Sequence, residues 1–167
     1  MRVLFIRHAP AGDRAEYAKT GKSDGGRPLT SAGRKKMRKA ARGLTRLMPS
    51  LDIVATSPLR RAWQTSRIVA EAFDGARLIE LAELSPTSHP KELAARLRTL
   101  ADAKVIALVG HEPHLSSAVD YMTTGGRGLR LELKKGACCL VEFEHKPEMG
   151  AGTILWSLAP AHLRKLS

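Results

Sequence analysis

The sequence predicts an α/β fold: a three-layer α/β/α sandwich around a mostly parallel central sheet. Short apolar runs of strand length alternate with segments of helical periodicity along most of the 167 residues, the pattern of βα units. Side chains able to do chemistry stand just after three of those runs: Arg7-His8, Arg60-Arg61 and His111. Sheets of this class bind ligands at the carboxyl ends of their strands.

Each element follows from a local pattern. Residues 2–7 contain Val3-Leu4-Phe5-Ile6, a continuous apolar run that reads as a short buried strand. Residues 9–28 hold Pro, Gly, Asp and Ser and read as a loop, and so long a loop in a small domain is usually functional. Thr30 is the expected N-cap of the next helix. Met37, Ala40, Ala41, Leu44, Leu47 and Met48 form its buried stripe, and Lys35, Arg38, Lys39, Arg42 and Arg46 an opposing basic stripe of the kind that is ordinarily a solvated face. Pro49 stops it.

Residues 52–56 ("DIVAT") are a second strand, and Ser57-Pro58 starts a helix over "SPLRRAWQTSRIVAEAF", with Leu59, Ala62, Ile68 and Val69 toward the core. Residues 78–81 are a third, short strand. Pro90 opens a helix carrying Leu93, Leu97 and Leu100. Residues 104–109 ("KVIALV") are a fourth strand, after which "GHEPHLSSAVDYM" turns into a helix with Pro113 near its start. "CCLVEFE" and "TILWSLA" are strand-like runs separated by Pro147, Gly150 and Gly152, hence a hairpin or neighbouring pair.

Composition narrows the class. A length of 167 residues points to one domain spanning residues 1–167, large enough for a substantial core. No stretch approaches the roughly 20 apolar residues of a membrane span. The first apolar run is cut short by Arg7, which argues against a signal peptide, so a cytoplasmic location is expected. Cys138 and Cys139 are adjacent in a strand, so their side chains face opposite ways and neither a mutual disulfide nor a zinc pattern is expected. The net charge of +12 suggests an anionic partner. Aromatic residues are only 4%, which leaves few for base stacking, and no nucleic-acid motif is present.

The three strand ends together suggest one chemistry. Arginine offers a planar fork of donors that matches phosphate. A neutral histidine is a nucleophile. A second histidine, if protonated, adds a cationic donor. Such a set suits phosphoryl transfer, in which the protein mainly positions groups and stabilises charge on the equatorial oxygens. His111 and His114 are three apart, but Pro113 lies between them and "HEPH" is one residue short of the zinc-protease spacing, so no metal is expected. His114, Arg60, His89, His145 and His162 read as surface residues.

"RHA" after the first strand, "SPLRRAWQT" after the second and "VGHEPHLS" after the fourth resemble the histidine phosphatase superfamily, whose fold is phosphoglycerate-mutase-like. "RHA" in place of "RHG", "RPLTSAG", "GHEP" and the short length are most similar to the SixA-type phosphohistidine phosphatases. The resemblance implies that His8 is the nucleophile and becomes phosphorylated. It also implies that Arg7, Arg61 and His111 bind the phosphoryl group, and that neither metal nor other cofactor takes part. The general acid of many relatives is not clearly marked, and Glu83 in "ELAELSP" is the candidate stand-in.

The expected substrate is a phosphohistidine on a signalling protein, because a phosphohistidine can release neutral imidazole and needs an acid less than an ester does. Two alternatives stand beside it. One is a phosphatase of small phosphoesters, nucleotides or polyphosphate. The other is a non-catalytic anion- or nucleic-acid-binding module.

Overall fold

In the computed structural model, which describes residues 1–167, strands and helices alternate as expected. The strands are β1 (Arg2–Arg7), β2 (Ile53–Thr56), β3 (Arg77–Glu80), β4 (Val105–Gly110), β5 (Cys138–Phe143) and β6 (Gly152–Leu158). The helices are α1 (Arg14–Ala18), α2 (Ser31–Leu44), α3 (Arg60–Ala72), α4 (Pro90–Arg98), α5 (His114–Thr124) and α6 (Pro160–Lys165). The strands form one sheet in the order β3-β2-β4-β1-β5-β6. The first four run parallel, β5 pairs antiparallel with β1, and β6 antiparallel with β5.

Burial explains the apolar runs. In β1, Val3 and Phe5 join the core on one face and Leu4 and Ile6 the core on the other, and all four are fully buried. Helices α4 and α5 cover the first face through Leu93, Leu97, Leu115 and Val119, while α2, α3 and α6 cover the second through Met37, Leu44, Val69 and Leu163. The sandwich is therefore three-layered. A strand with helices on both sides has no polar face to offer, which is why its sequence does not alternate. Cys138 and Cys139 sit in opposite cores as free thiols, and burial pushes both pKa values up.

The element boundaries move by a residue or two from the expected ones, with three differences of substance. The long loop contains helix α1, capped by Asp13 through the Glu16 amide, and a 3-10 turn at Asp24–Gly26. Helix α2 is capped by Thr30 as expected, but it ends at Leu44, so Leu47 falls past the regular helix and is 41% exposed. The basic C-terminal segment is helix α6, docked on α2 where Gly43 leaves no room for a side chain: a Cβ there would meet the Leu163 carbonyl at 1.8 Å. No helix is long and apolar enough to cross a membrane.

Topology places the ligand site. The connections after β1 and β2 run over one face through α2 and α3, whereas those after β3 and β4 run over the other through α4 and α5. β1 and β4 are neighbours whose following helices diverge to opposite faces. That divergence opens a crevice at their carboxyl ends, the switch point at which such sheets bind ligands.

Candidate active site

Arg7 ends β1 and pairs across the ladder with Gly110 of β4, so His8 and His111 follow side by side. Their rings lie 5.0 Å apart between centroids. Arg61 reaches the same place from the first turn of α3, just beyond β2. All four side chains line one open cavity of about 650 Å³, together with Asp24, Arg27, Glu112 and Lys135. Arg60, one residue away, is exposed, because a single helical step of about 100° turns it off the cavity side.

The His8 ring has a defined tautomer. Its Nδ1 lies 2.8 Å from the carbonyl oxygen of Ala9, and only a protonated Nδ1 can make that contact as a hydrogen bond. The lone pair of the neutral ring is then on Nε2. Burial lowers the His8 pKa to about 4, with Arg61, Arg7 and Lys135 adding like-charge repulsion. The ring is therefore neutral and nucleophilic at pH 7. The Ala9 amide donates to Thr65 Oγ1 at 3.1 Å, and Thr65 Oγ1 donates to the Arg61 carbonyl at 2.8 Å, which ties the loop after β1 to the helix that carries Arg61. On its other side the loop packs on α2 at Gly33, where a Cβ would sit 2.1 Å from the Pro10 carbonyl oxygen.

His111 shares a 2.9 Å hydrogen bond between Nε2 and Ser57 Oγ. Burial, with His8 and Arg61 beside it, lowers its pKa to about 3. It is therefore neutral at pH 7, and the positive charge of the cavity rests on its arginines and Lys135. Arg7 Nη1 donates to the Leu133 carbonyl at 2.6 Å. Arg61 is 6% exposed, and its Nη1 meets the Asp24 carbonyl oxygen at 3.0 Å and Asp24 Oδ2 at 3.1 Å. Arg7 Nε, Arg61 Nε and His111 Nδ1 are buried without a partner in the protein. The two arginine N–H groups are buried donors that an oxyanion can satisfy, and His111 Nδ1 joins them in the tautomer in which Ser57 donates to Nε2.

The sequence reasoning missed the residue that organises the arginines. Asp24 takes Arg27 Nε at 2.7 Å on one oxygen and Arg61 on the other, while Arg27 Nη1 donates to Gly12 O at 2.7 Å. The Arg27 hydrogen bond, with the charges of Arg61 and Arg27, holds the Asp24 carboxyl below its usual range. The only local signal was an Asp and an Arg three residues apart, "DGGR", inside the long loop.

Two expectations are corrected. Glu83 does not line the cavity. It sits on a 3-10 turn at Ala82–Leu84 and faces a separate shallow depression with Ser88 and Glu92. The local turn explains this: Leu81 and Leu84 turn inward to the core and leave Glu83 on the outer side, after an edge strand that lies three positions from β1 in the sheet. Pro86 reaches the cavity instead. His114 is not a surface residue but is 3% exposed, with both ring nitrogens unpartnered, and burial lowers its pKa. It does not line the cavity, and no three His, Cys, Asp or Glu side chains cluster as a metal site would require.

Three carboxylates do line the cavity, Asp13, Asp24 and Glu112, and Glu112 was missed although it follows His111 directly. Burial raises its pKa, against a hydrogen bond from Ser116, and its Oε1 is buried without a partner.

These pKa values make a stability prediction. A histidine with a folded pKa of about 4 or 3 and an unfolded pKa near 6.5 binds its proton more readily in the unfolded chain. The stability it contributes is complete above pH 6.5 and is lost as pH falls from there toward the folded pKa. The slope is about 1.4 kcal/mol per pH unit for each such histidine. Urea melts at pH 7, 5.5 and 4.5 are expected to show this loss, and His111→Gln to reduce the slope; a pH-independent midpoint would show that the buried rings are not held neutral.

Comparisons with known proteins bear on this geometry. The model of the histidine phosphatase superfamily (branch 1) matches residues 3–89, just over half of the chain. An uncharacterized protein of Picosynechococcus is 37% identical over 138 residues, 81% of each chain. The phosphohistidine phosphatase SixA of Escherichia coli K12 is 28% identical over 167 residues, 98% of this chain and 97% of its own. A solved structure of the protein histidine phosphatase SixA complexed with tungstate superposes with a TM-score of 0.82 at 27% identity, covering 98% of this chain and 99% of that one. With Arg7, His8, Arg61 and His111 gathered at the strand ends where its motifs predicted them, the chain belongs to the histidine phosphatase superfamily.

Proposed function

We propose that the protein is a phosphohistidine phosphatase that works through a phosphohistidine on His8 and acts on phosphohistidine carried by a signalling protein. The observation that carries this reading is the neutral His8 ring, tautomer set by the Ala9 carbonyl, in a cavity walled by Arg7 and Arg61. Similarity to SixA at 28% identity over nearly the whole chain supports the substrate class.

His8 Nε2 attacks phosphorus. The N–P bond of the substrate breaks as the new one forms, and the leaving imidazole takes the bonding pair. If its other nitrogen carries a proton, it departs neutral. Arg7, Arg61 and His111 hold the equatorial oxygens, where charge is spread in the transition state. Through its Nδ1–H bond, the Ala9 carbonyl stabilises the positive charge that builds on the His8 ring. Water then attacks phosphorus, releasing phosphate and the neutral His8. All the positive charge needed is supplied by side chains, so EDTA is expected to leave turnover unchanged, and a loss restored by added divalent metal would refute that.

A second reading, hydrolysis of small phosphoesters, is favoured by Glu112. An alkoxide leaving group must be protonated, and a cavity carboxyl with a raised pKa can do it. Purified enzyme assayed on a phosphohistidine peptide and on a panel of alkyl and aryl phosphates separates the two. Preference for the peptide, with Glu112→Gln changing its turnover little, supports the main reading. Strong ester turnover that Glu112→Gln lowers by on the order of 10²-fold, while Glu83→Gln does not, supports the second.

A further inference from the structure

The charge of the protein is concentrated on two packed helices. Helix α2 carries six Lys or Arg and no Asp or Glu, and α6 adds Arg164 and Lys165, again without an acid. These eight cations stand against a net charge of +12 for the whole chain. None of them enters an ion pair: the pairs that exist join Arg2, Arg14, Lys19, Arg27, Arg61 and Arg67 to acids elsewhere. Within α2, Arg34 with Arg38, Lys35 with Lys39 and Arg38 with Arg42 are like charges four residues apart, a spacing that opposes the helix. Solubility would be served as well by mixed signs. A local rule broken without compensation inside the chain points to a use outside it.

The basic face is joined to the active site. Lys36 and Arg164 share a narrow crevice with Lys135, Gly136 and Pro10, and Lys135 also lines the cavity that holds His8. Pro10 lies two residues beyond the nucleophile. A track of cations thus leaves the cavity mouth at Lys135 and continues over α2.

We propose that α2 and α6 form a docking surface for an acidic face of the protein substrate, seated so that its phosphorylated side chain enters the cavity beside Lys135. This rests on the reading of the substrate as a phosphorylated protein. Helix α2 has 14 residues, about 21 Å at 1.5 Å per residue, so an acidic segment laid along it meets a cation at every turn. An acidic protein fits this face better than a nucleic acid does. Neither helix contains Phe, Trp or Tyr, the side chains on which single-strand binders chiefly stack bases. Exposed charges of this kind act mainly on encounter and on KM, and salt screens them.

The test uses the full-length protein and three probes: phosphoramidate, a phosphohistidine peptide whose flank carries six Glu, and the same peptide with six Gln. The variant is Lys35→Glu/Lys39→Glu/Arg42→Glu, three exposed positions without hydrogen bonds to other side chains. For the wild type at low salt, kcat/KM on the acidic peptide is expected to exceed that on the neutral one by about tenfold, through KM, and the gap to close as ionic strength approaches ~0.5 M. The variant is expected to lose the preference while turning over phosphoramidate at the wild-type rate, which also shows that it is folded. Equal kcat/KM on the two peptides, with phosphoramidate hydrolysed, overturns the docking surface and leaves the reading of the active site standing. Failure to hydrolyse any of the three overturns that reading itself. Tighter binding of a short DNA duplex than of the acidic peptide, abolished by the same variant, assigns the face to nucleic acid and overturns the proposal.

Discussion

His8→Ala is expected to abolish turnover, by at least about 10⁴-fold, because the variant has no atom to which the phosphoryl group can transfer. The loss should fall on kcat, since Arg7 and Arg61 remain to bind the anion. The fold should survive. The ring is 6% exposed, but it lines a cavity instead of filling a core, and its polar contact is with the Ala9 carbonyl beside it. Removing it also removes a buried imidazole that resists protonation, so the variant should lose less stability between pH 6.5 and 4 than the wild type does. Circular dichroism and a single-turnover assay with labelled phosphohistidine peptide decide the matter: the wild type should trap label on the protein and the variant should not. Label on the variant, or turnover near the wild-type rate, would remove His8 as nucleophile.

Arg61→Ala should follow with a loss of roughly 10²–10³-fold in kcat/KM, the size expected when one preorganised donor to a developing oxyanion is deleted. Arg61→Lys should recover little of it. The guanidinium places Nη1 on Asp24 while Nε stays unpaired, and a single ammonium cannot divide its donors in that fixed fork. Asp24→Asn should act through Arg61, with a smaller loss. It removes the charge that draws Arg61 and Arg27 to one point, and leaves two nearly buried cations, at 7% and 10% side-chain exposure, repelling each other. The signature of that positioning role is rescue: Asp24→Glu, which restores the carboxylate, is expected to recover most of the kcat/KM that Asp24→Asn loses. Wild-type kinetics in Arg61→Ala would place the phosphoryl group elsewhere in the cavity.

Local pattern was enough for the elements, and the motifs shared with the superfamily picked out Arg7, His8, Arg61 and His111 as candidate site residues. Apolar runs with no polar alternation at β1 and β4 imply strands covered on both faces, and covered parallel strands imply helices between them. Parallel strands bring the residues after them to one end of the sheet, and the observed adjacency of β1, β4 and β2 then brings Arg7, His8, Arg61 and His111 together. The adjacent cysteines went to opposite cores for an equally local reason, the two-residue period of a strand.

What needed the tertiary structure was everything set by lateral position and by burial. Glu83 follows a strand just as His8 does, but Leu81 and Leu84 of the same turn face the core and leave Glu83 beside Ser88 and Glu92, and it is Pro86 of that loop that reaches the cavity. Asp24 sits 16 residues beyond His8 in a loop without periodicity, and only the folded loop brings it against Arg61. The low pKa values of His8 and His111, and the raised one of Glu112, come from desolvation by neighbours distant in the chain. Residue type and spacing determine which groups can meet. Their protonation and their alignment depend on how much water the rest of the fold takes away from them.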